Sequence, residues 1–191
     1  GVNVALEQYA GQELGSALTR VVEGGFTWVR QPFYWSQVEP EPGRFDWTVS
    51  DRLVAALARH PQLRLVAVLE DDPPVPPADP DRFAAFAAAF AARYGERVDY
   101  YQIWDEPNLA QHWGGDPVSP PAYADLLART ATAVRAADPD ARLLLAGLAP
   151  TIETGPQNLS DARYLDQLYR AGAAPYFDIV CGKPYGFETG P

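Results

Sequence analysis

Short runs rich in β-branched and aromatic residues alternate along the chain with longer runs rich in alanine and leucine. The short runs predict six strands, at residues 2–6, 27–31, 64–69, 100–104, 142–146 and 177–181. The longer runs predict five helices between them, at residues 13–23, 48–59, 81–94, 121–137 and 161–171. In the third helix, Phe83, Phe86 and Phe90 recur on one helix face, which predicts a buried stripe.

This regular alternation of strand and helix is typical of parallel strands joined by right-handed crossovers. Two α/β architectures fit it, a doubly wound sheet and a (β/α)8 barrel. A doubly wound nucleotide-binding domain requires a glycine-rich phosphate loop after the first strand, and the sequence EQYAG at residues 7–11 is not one. We therefore expect residues 1–191 to form a single (β/α)8 TIM-barrel domain. Because six repeats are visible and such a barrel needs about 250 residues, we expect the barrel to be truncated after the sixth strand.

The composition is that of an ordinary globular domain with an acidic surface. Hydrophobic residues make up 47% of the chain and charged residues 21%, and the net charge is −10. Such a surface argues against nucleic acid and anionic membranes as partners, and no apolar run is long enough to span a bilayer. A neutral substrate such as a sugar is compatible with it. The single cysteine, Cys181, excludes an internal disulfide and does not decide the compartment, although a secreted or cell-surface location is favoured.

The most informative segment is VDYYQIWDEPNL, at residues 98–109. Its β-rich first half ends abruptly, because Pro107 restricts the residue before it and cannot donate to a sheet ladder. The predicted strand therefore holds Glu106 at its carboxyl end, which in parallel α/β folds is the edge where ligands bind. The second predicted strand ends near Arg30. A buried arginine at this edge needs a carboxylate partner, so we expect Arg30 to lie beside the catalytic carboxylates.

Three segments in this order resemble glycoside hydrolases of clan A, most closely those of the family 39 and family 5 types. The segments are VRQPFYWSQVEPEPGRFDW, YYQIWDEPNL and FDIVCGKPYG. The resemblance implies hydrolysis of O-glycosidic bonds by a retaining mechanism, with two carboxyl groups about 5–5.5 Å apart. It implies that Glu106 is the general acid/base, that Arg30 orients the nucleophile and that Tyr185 leans towards the same centre. No cofactor and no metal is implied.

Several further residues are expected to bind carbohydrate. Trp35 offers a flat face on which a sugar ring could stack, although a tryptophan in a loop is more often simply packed. His112 and Trp113 follow the acid/base strand, where they could line a sugar subsite or pack the loop. Glu70, at the end of the third predicted strand, is expected to bind substrate or to have a structural role.

The chain departs from the family pattern at three points. The family nucleophile is a glutamate that ends the seventh strand, and no residue here can be matched to it. Asp105 occupies the position of the asparagine that normally precedes the acid/base. Lys183, the only lysine in the chain, occupies the position of a histidine expected near the sixth strand. We hypothesise that Asp105 and Lys183 form an ion pair across the barrel mouth, within the substrate-binding site.

Two functions follow from these observations and stay open at this point. The first is a glycosidase as the full-length protein, this chain alone being inactive because one carboxylate cannot perform a double displacement. The second is a non-catalytic barrel that binds carbohydrate or has a structural role, which Asp105 and Lys183 favour. Carbohydrate is the expected partner of the enzyme and of the binding protein, and exposed barrel edges predict self-association.

Overall fold

The computed structural model describes residues 1–183 and residue 185. Pro184 and residues 186–191, which include Glu188 and the end of the third motif, lie outside the described residues. The described chain forms one parallel sheet in the order β1-β2-β3-β4-β5. Neighbours in sequence are neighbours in space throughout, which is the winding of a barrel, whereas a doubly wound sheet reverses its strand order. The strands are β1 (Val2–Asn3), β2 (Trp28–Tyr34), β3 (Arg64–Glu70), β4 (Tyr100–Ile103) and β5 (Arg142–Leu144).

Helices connect successive strands and cover one face of the sheet. They are α1 (Gly11–Glu23), α2 (Trp35–Val38), α3 (Thr48–Leu57), α4 (Pro80–Tyr94), α5 (Pro120–Ala137) and α6 (Asp161–Arg170). The starts of α4, α5 and α6 are capped by the side chains of Asp79, Ser119 and Ser160, which accept from backbone amides in the first turn. None of the helices in the described residues is long and apolar enough to cross a membrane.

Strand β2 extends past Pro32 to Tyr34, three residues beyond its predicted end. The carbonyl of Arg30 accepts from the Val4 amide, so Arg30 and Pro32, two residues later, both direct their backbone groups towards β1. Strand β1 ends at Asn3, and the proline therefore lies beyond the paired part of β1. The missing amide of Pro32 interrupts no ladder, which is why a central strand tolerates the proline here.

The sixth predicted strand, at residues 177–181, is only partly formed. Isolated parallel bridges join Leu144 to Ile179 and Leu148 to Gly182, so the segment does lie beside β5 as expected. The carboxylate of Asp178 accepts from the amide of Leu143 at 2.8 Å. Because a side chain occupies this ladder position, regular pairing does not begin at the start of the segment.

The two faces of the sheet have different chemistry. Alternate residues of β2 are buried, and its buried face packs on the helices, with Phe33 against Phe90 at a ring-centroid distance of 4.8 Å. The predicted stripe of Phe83, Phe86 and Phe90 on α4 is fully buried in this core. On the opposite face, the register aligns Pro32, Val68, Gln102 and Leu144 in one layer across four strands. Arg30 lies on this same face, two residues before Pro32.

Candidate active site

Four of the predicted site residues meet on the inner face of the sheet, towards the carboxyl ends of its strands. Nη2 of Arg30 lies 2.8 Å from Oδ1 of Asp105. Nζ of Lys183 donates to Oδ2 of Asp105 at 2.9 Å and to Oε1 of Glu106 at 2.7 Å. The hypothesised ion pair of Asp105 and Lys183 is therefore present, and it includes Glu106 as well. These four side chains, the charged cluster, are between 15% and 24% exposed, so water screens them only weakly.

The backbone around Asp105 has an unusual conformation. Trp104 and Glu106 both adopt left-handed φ angles, of 67° and 48°, although neither is glycine. Such positions cost on the order of 1–3 kcal/mol each and persist where surrounding contacts hold them. Here the amide of Glu106 donates to the carbonyl of Gly147 at 3.1 Å. One strained residue on each side of Asp105 is typical of a functional site.

Gln102 organises the cluster, although the sequence analysis did not single it out. Its side-chain oxygen accepts from Nε of Arg30 at 2.9 Å, and its amide nitrogen donates to the Trp104 carbonyl at 2.7 Å and to Asp105 Oδ1 at 3.2 Å. The residue is fully buried. Its one sequence signal is a polar residue inside the otherwise β-rich run YYQIW. Gln102 therefore fixes the relative positions of Arg30 and Asp105.

Gly147 makes room for Lys183. A Cβ atom at this position would lie 2.8 Å from Cε of Lys183 and 3.2 Å from Oδ1 of Asp105. Any larger residue would therefore displace the lysine side chain. A lone glycine after an apolar run gives no sequence signal of this role, and only the tertiary structure shows it.

His112 lies beside Glu106, whereas its neighbour Trp113 does not face the site. Nε2 of His112 is 3.2 Å from Oε2 of Glu106, so both carboxylate oxygens have a nitrogen neighbour. Trp113 is only 5% exposed and packs edge-on against Trp104 and Tyr123. The burial of Trp113 favours the alternative that it packs the loop, and its predicted substrate-binding role lacks support.

Trp35 packs against the protein and not in the charged cluster. Its indole Nε1 donates to Oε2 of Glu39 at 2.6 Å. Its ring contacts Phe83 and Phe86 of α4, and the guanidinium of Arg82 lies 5.4 Å from the ring centroid. The structure therefore supports the alternative of loop packing for Trp35, and the sugar-stacking prediction lacks support.

Glu70 ends β3 and is the carboxyl group here with a strongly raised pKa. Burial raises the pKa of Glu70 to about 7; the negative charge of Asp105 adds to this effect, and the charges of Arg30 and Lys183 oppose it. The remaining predicted residue, Tyr185, is exposed, and its amide donates to the Lys183 carbonyl at 2.8 Å. Among the residues that the structure describes, no cluster of side chains is arranged to hold a metal ion.

Solved structures with a similar fold exist, whereas no protein-family model and no curated protein sequence matches the chain. A family 39 glycoside hydrolase from Bacteroides cellulosilyticus WH2 aligns over 94% of this chain, with a TM-score of 0.69 and 22% identity. The chain has the fold of family 39 glycoside hydrolases. A family 39 enzyme from Xanthomonas axonopodis pv. citri (TM-score 0.70) and a family 39 β-xylosidase from Caulobacter crescentus (0.66) each align over 97% of it at 24% identity. The chain spans 36%, 40% and 45% of these three family 39 proteins, respectively.

Proposed function

We propose that this chain forms the part of a retaining glycoside hydrolase barrel that supplies the general acid/base, Glu106. The observation that supports this most strongly is the position of Glu106, at the carboxyl end of β4, in left-handed backbone and within the charged cluster. Parallel barrels bind their ligands at this edge. The family 39 fold is consistent with the proposal. Because the chain spans less than half of the family 39 proteins it resembles, the activity is proposed for the whole protein.

The proposed mechanism uses two carboxyl groups. One protonates the glycosidic oxygen as the sugar leaves, and the other attacks the anomeric carbon to form a glycosyl-enzyme intermediate. The first then removes a proton from the water that hydrolyses this intermediate. Glu106 is proposed as the first group, and a carboxylate outside the described residues as the second. Arg30 has five N–H donors. Its Nε donates to Gln102 and its Nη2 forms an ion pair with Asp105, so the remaining donors could orient that nucleophile.

The two oxygens of Glu106 differ in how easily a substrate could reach them. Oε1 accepts from Lys183, whose side chain is 15% exposed, at 2.7 Å. Oε2 lies 3.2 Å from Nε2 of His112, whose side chain is 31% exposed. The longer contact and the more exposed partner make Oε2 the oxygen that we propose faces the glycosidic bond.

The test is hydrolysis of aryl glycosides by the full-length protein with and without Glu106→Gln. We expect kcat/KM to fall by about 10²–10⁴ for leaving groups that require protonation. Dinitrophenyl glycosides should lose much less in the glycosylation step, because dinitrophenolate departs without a proton. Added azide should restore the turnover of these dinitrophenyl glycosides by Glu106→Gln, since an anionic nucleophile needs no general base.

A matched control is Glu13→Gln, which removes an exposed carboxylate in α1. This variant should hydrolyse every substrate like the parent protein. Full activity of the Glu106→Gln protein towards unactivated glycosides would contradict the proposal.

The second candidate function is a barrel that binds carbohydrate without hydrolysing it. The observation that favours it is the contact of Lys183 with Oε1 of Glu106, because an ammonium held there stabilises a carboxylate, and a carboxylate cannot protonate a glycosidic oxygen. Oligosaccharide binding by calorimetry, with no hydrolysis by the parent protein and no change in Glu106→Gln, would identify the binding protein instead.

A further inference from the structure

We propose that Lys183 is a positioning residue whose ammonium holds the Glu106 carboxylate in place, and that Asp105 and Gly147 are matched to it. The contacts that support this are independent of any activity. Their consequence for catalysis rests on the proposed function, since it requires Glu106 to be the acid/base.

The charges of the cluster require such a residue. Asp105 and Glu106 are consecutive carboxyl groups that are both largely buried, so their negative charges repel each other in a poorly screened environment. Nζ of Lys183 contacts one oxygen of each, at 2.9 and 2.7 Å. Arg30 contacts the other oxygen of Asp105 at 2.8 Å. Cations and anions therefore alternate in the order Arg30, Asp105, Lys183 and Glu106. Removal of Asp105 or Lys183 leaves the remaining charges unbalanced.

Gly147 is matched to Lys183 because it leaves space for the lysine side chain. The lysine side chain runs across the backbone of Gly147, where a Cβ atom would lie 2.8 Å from Cε. The atom that would have to move belongs to a flexible side chain, so an alanine here would displace Lys183 and leave the sheet in place. The carbonyl of the same glycine accepts from the amide of Glu106, which joins Glu106 and Lys183 to one backbone position.

Few titratable groups surround Glu106, so the direction in which each neighbouring charge affects its ionisation can be stated. They are Arg30 on β2, Glu70 on β3, Asp105, Glu106 and His112 after β4, and Cys181 and Lys183 in the segment beside β5. A positive charge beside a carboxylate favours its ionised form, and a negative charge disfavours it. Loss of Lys183 and loss of Asp105 should therefore act on Glu106 with opposite signs, and the two losses together should largely cancel.

The experiment is a pH titration of the carboxyl groups by NMR, using the full-length protein with ¹³C-labelled glutamate, with the signal of Glu106 assigned from Glu106→Gln. We expect Lys183→Met to raise the titration midpoint of Glu106 by about 1–2 pH units, and Asp105→Asn to lower it by a similar amount. The double variant should return to within about half a unit of the parent protein, because the lost charges compensate. Arg97→Met, which removes an exposed positive charge before β4, should leave the midpoint unchanged.

A second pair of variants tests the role of Gly147 without removing any charge. Gly147→Ala should raise the Glu106 midpoint in the same direction as Lys183→Met, because it moves the ammonium away. Gly15→Ala, in α1, is the matched control, since a Cβ there meets no atom within 4 Å. This pair also keeps the proposal testable if Lys183→Met fails to fold.

The outcomes separate this proposal from the proposed function. Midpoints that stay fixed, or that move in the same direction in Lys183→Met and Asp105→Asn, would overturn the positioning role. If Glu106→Gln kept full activity while the midpoints moved in opposite directions, the acid/base assignment would fail and the positioning role would stand. In an active protein, the decline in kcat/KM at high pH should follow the same shifts, because a general acid must be protonated.

Discussion

At the scale of single residues, the site contains carboxyl groups in two different environments. Glu106 and Asp105 contact cations directly, whereas Glu70 is buried near the negative charge of Asp105 and has a pKa raised to about 7. Enzymes commonly distinguish acid from base in this way. Glu70 and Glu106 both follow a predicted strand in the sequence, so only their surroundings in the fold distinguish them.

The raised pKa of Glu70 predicts that its ionisation destabilises the fold at high pH. The folded protein keeps this proton up to about pH 7, whereas the unfolded chain releases it near pH 4.5, so the contribution of Glu70 to stability falls as pH rises between these values. Glu70→Gln cannot ionise and lacks this decline. We therefore compare the free energies of unfolding of Glu70→Gln and the parent protein, measured in urea. As pH rises from 5 to 8, the difference should shift in favour of the variant by about 2 kcal/mol.

A control for this prediction is Glu23→Gln at the exposed end of α1. Its stability relative to the parent protein should be nearly independent of pH. A pH-independent difference for Glu70→Gln as well would show that Glu70 titrates like an exposed carboxyl group.

At the scale of elements, one buried amide joins the segment after β4 to the chain after β5. Nδ2 of Asn108 donates to the carbonyls of Ala149 and Leu159, at 2.8 and 2.9 Å, and its Oδ1 accepts from the Ala149 amide at 2.9 Å. Asn108 is completely buried and lies two residues after Glu106. These contacts hold the segment that contains Glu106 against the loop that begins with Gly147.

Removal of this amide should destabilise the fold strongly. Asn108→Ala leaves three buried backbone groups without the partners seen here, and each such loss costs about 1–3 kcal/mol. We expect a loss of about 3 kcal/mol or more in the free energy of unfolding, measured in urea. Gln167→Ala, an exposed amide in α6, should change stability by less than about 0.5 kcal/mol. Similar losses in both variants would contradict a special role for Asn108.

At the scale of the whole molecule, no further strand pairs with the two sides of the sheet among the described residues, and self-association is predicted there. On one side β1 pairs with β2, and on the other β5 has the bridged segment that includes Ile179 beside it. Ile179 and Val180 there are apolar and exposed, at 38% and 48%. Open edges with exposed apolar residues favour pairing with another chain.

Sedimentation of the isolated chain tests this prediction. We expect concentration-dependent dimers or larger species for the parent chain, and a shift towards monomer for Val180→Lys, because a charge on an edge opposes strand pairing. Ile152→Lys is the matched control, since Ile152 is 97% exposed but lies outside the sheet. A monomeric parent chain at all concentrations would contradict the prediction.

The sequence by itself determined the alternation of strands and helices and the position of the candidate acid/base, but not α2, the short β1 or the partly formed sixth strand. Strand–helix alternation, the stripe on α4 and the end of β4 before Pro107 depend on neighbouring residues, and local periodicity and proline stereochemistry predict them. The tertiary structure alone decided how the charged cluster is assembled. Arg30 and Gln102 are 72 residues apart in sequence, and Lys183 and Asp105 are 78 apart. Sheet register and the space at Gly147 bring such groups together, and burial separates Trp113 from the site and raises the pKa of Glu70; none of these is a property of a local segment.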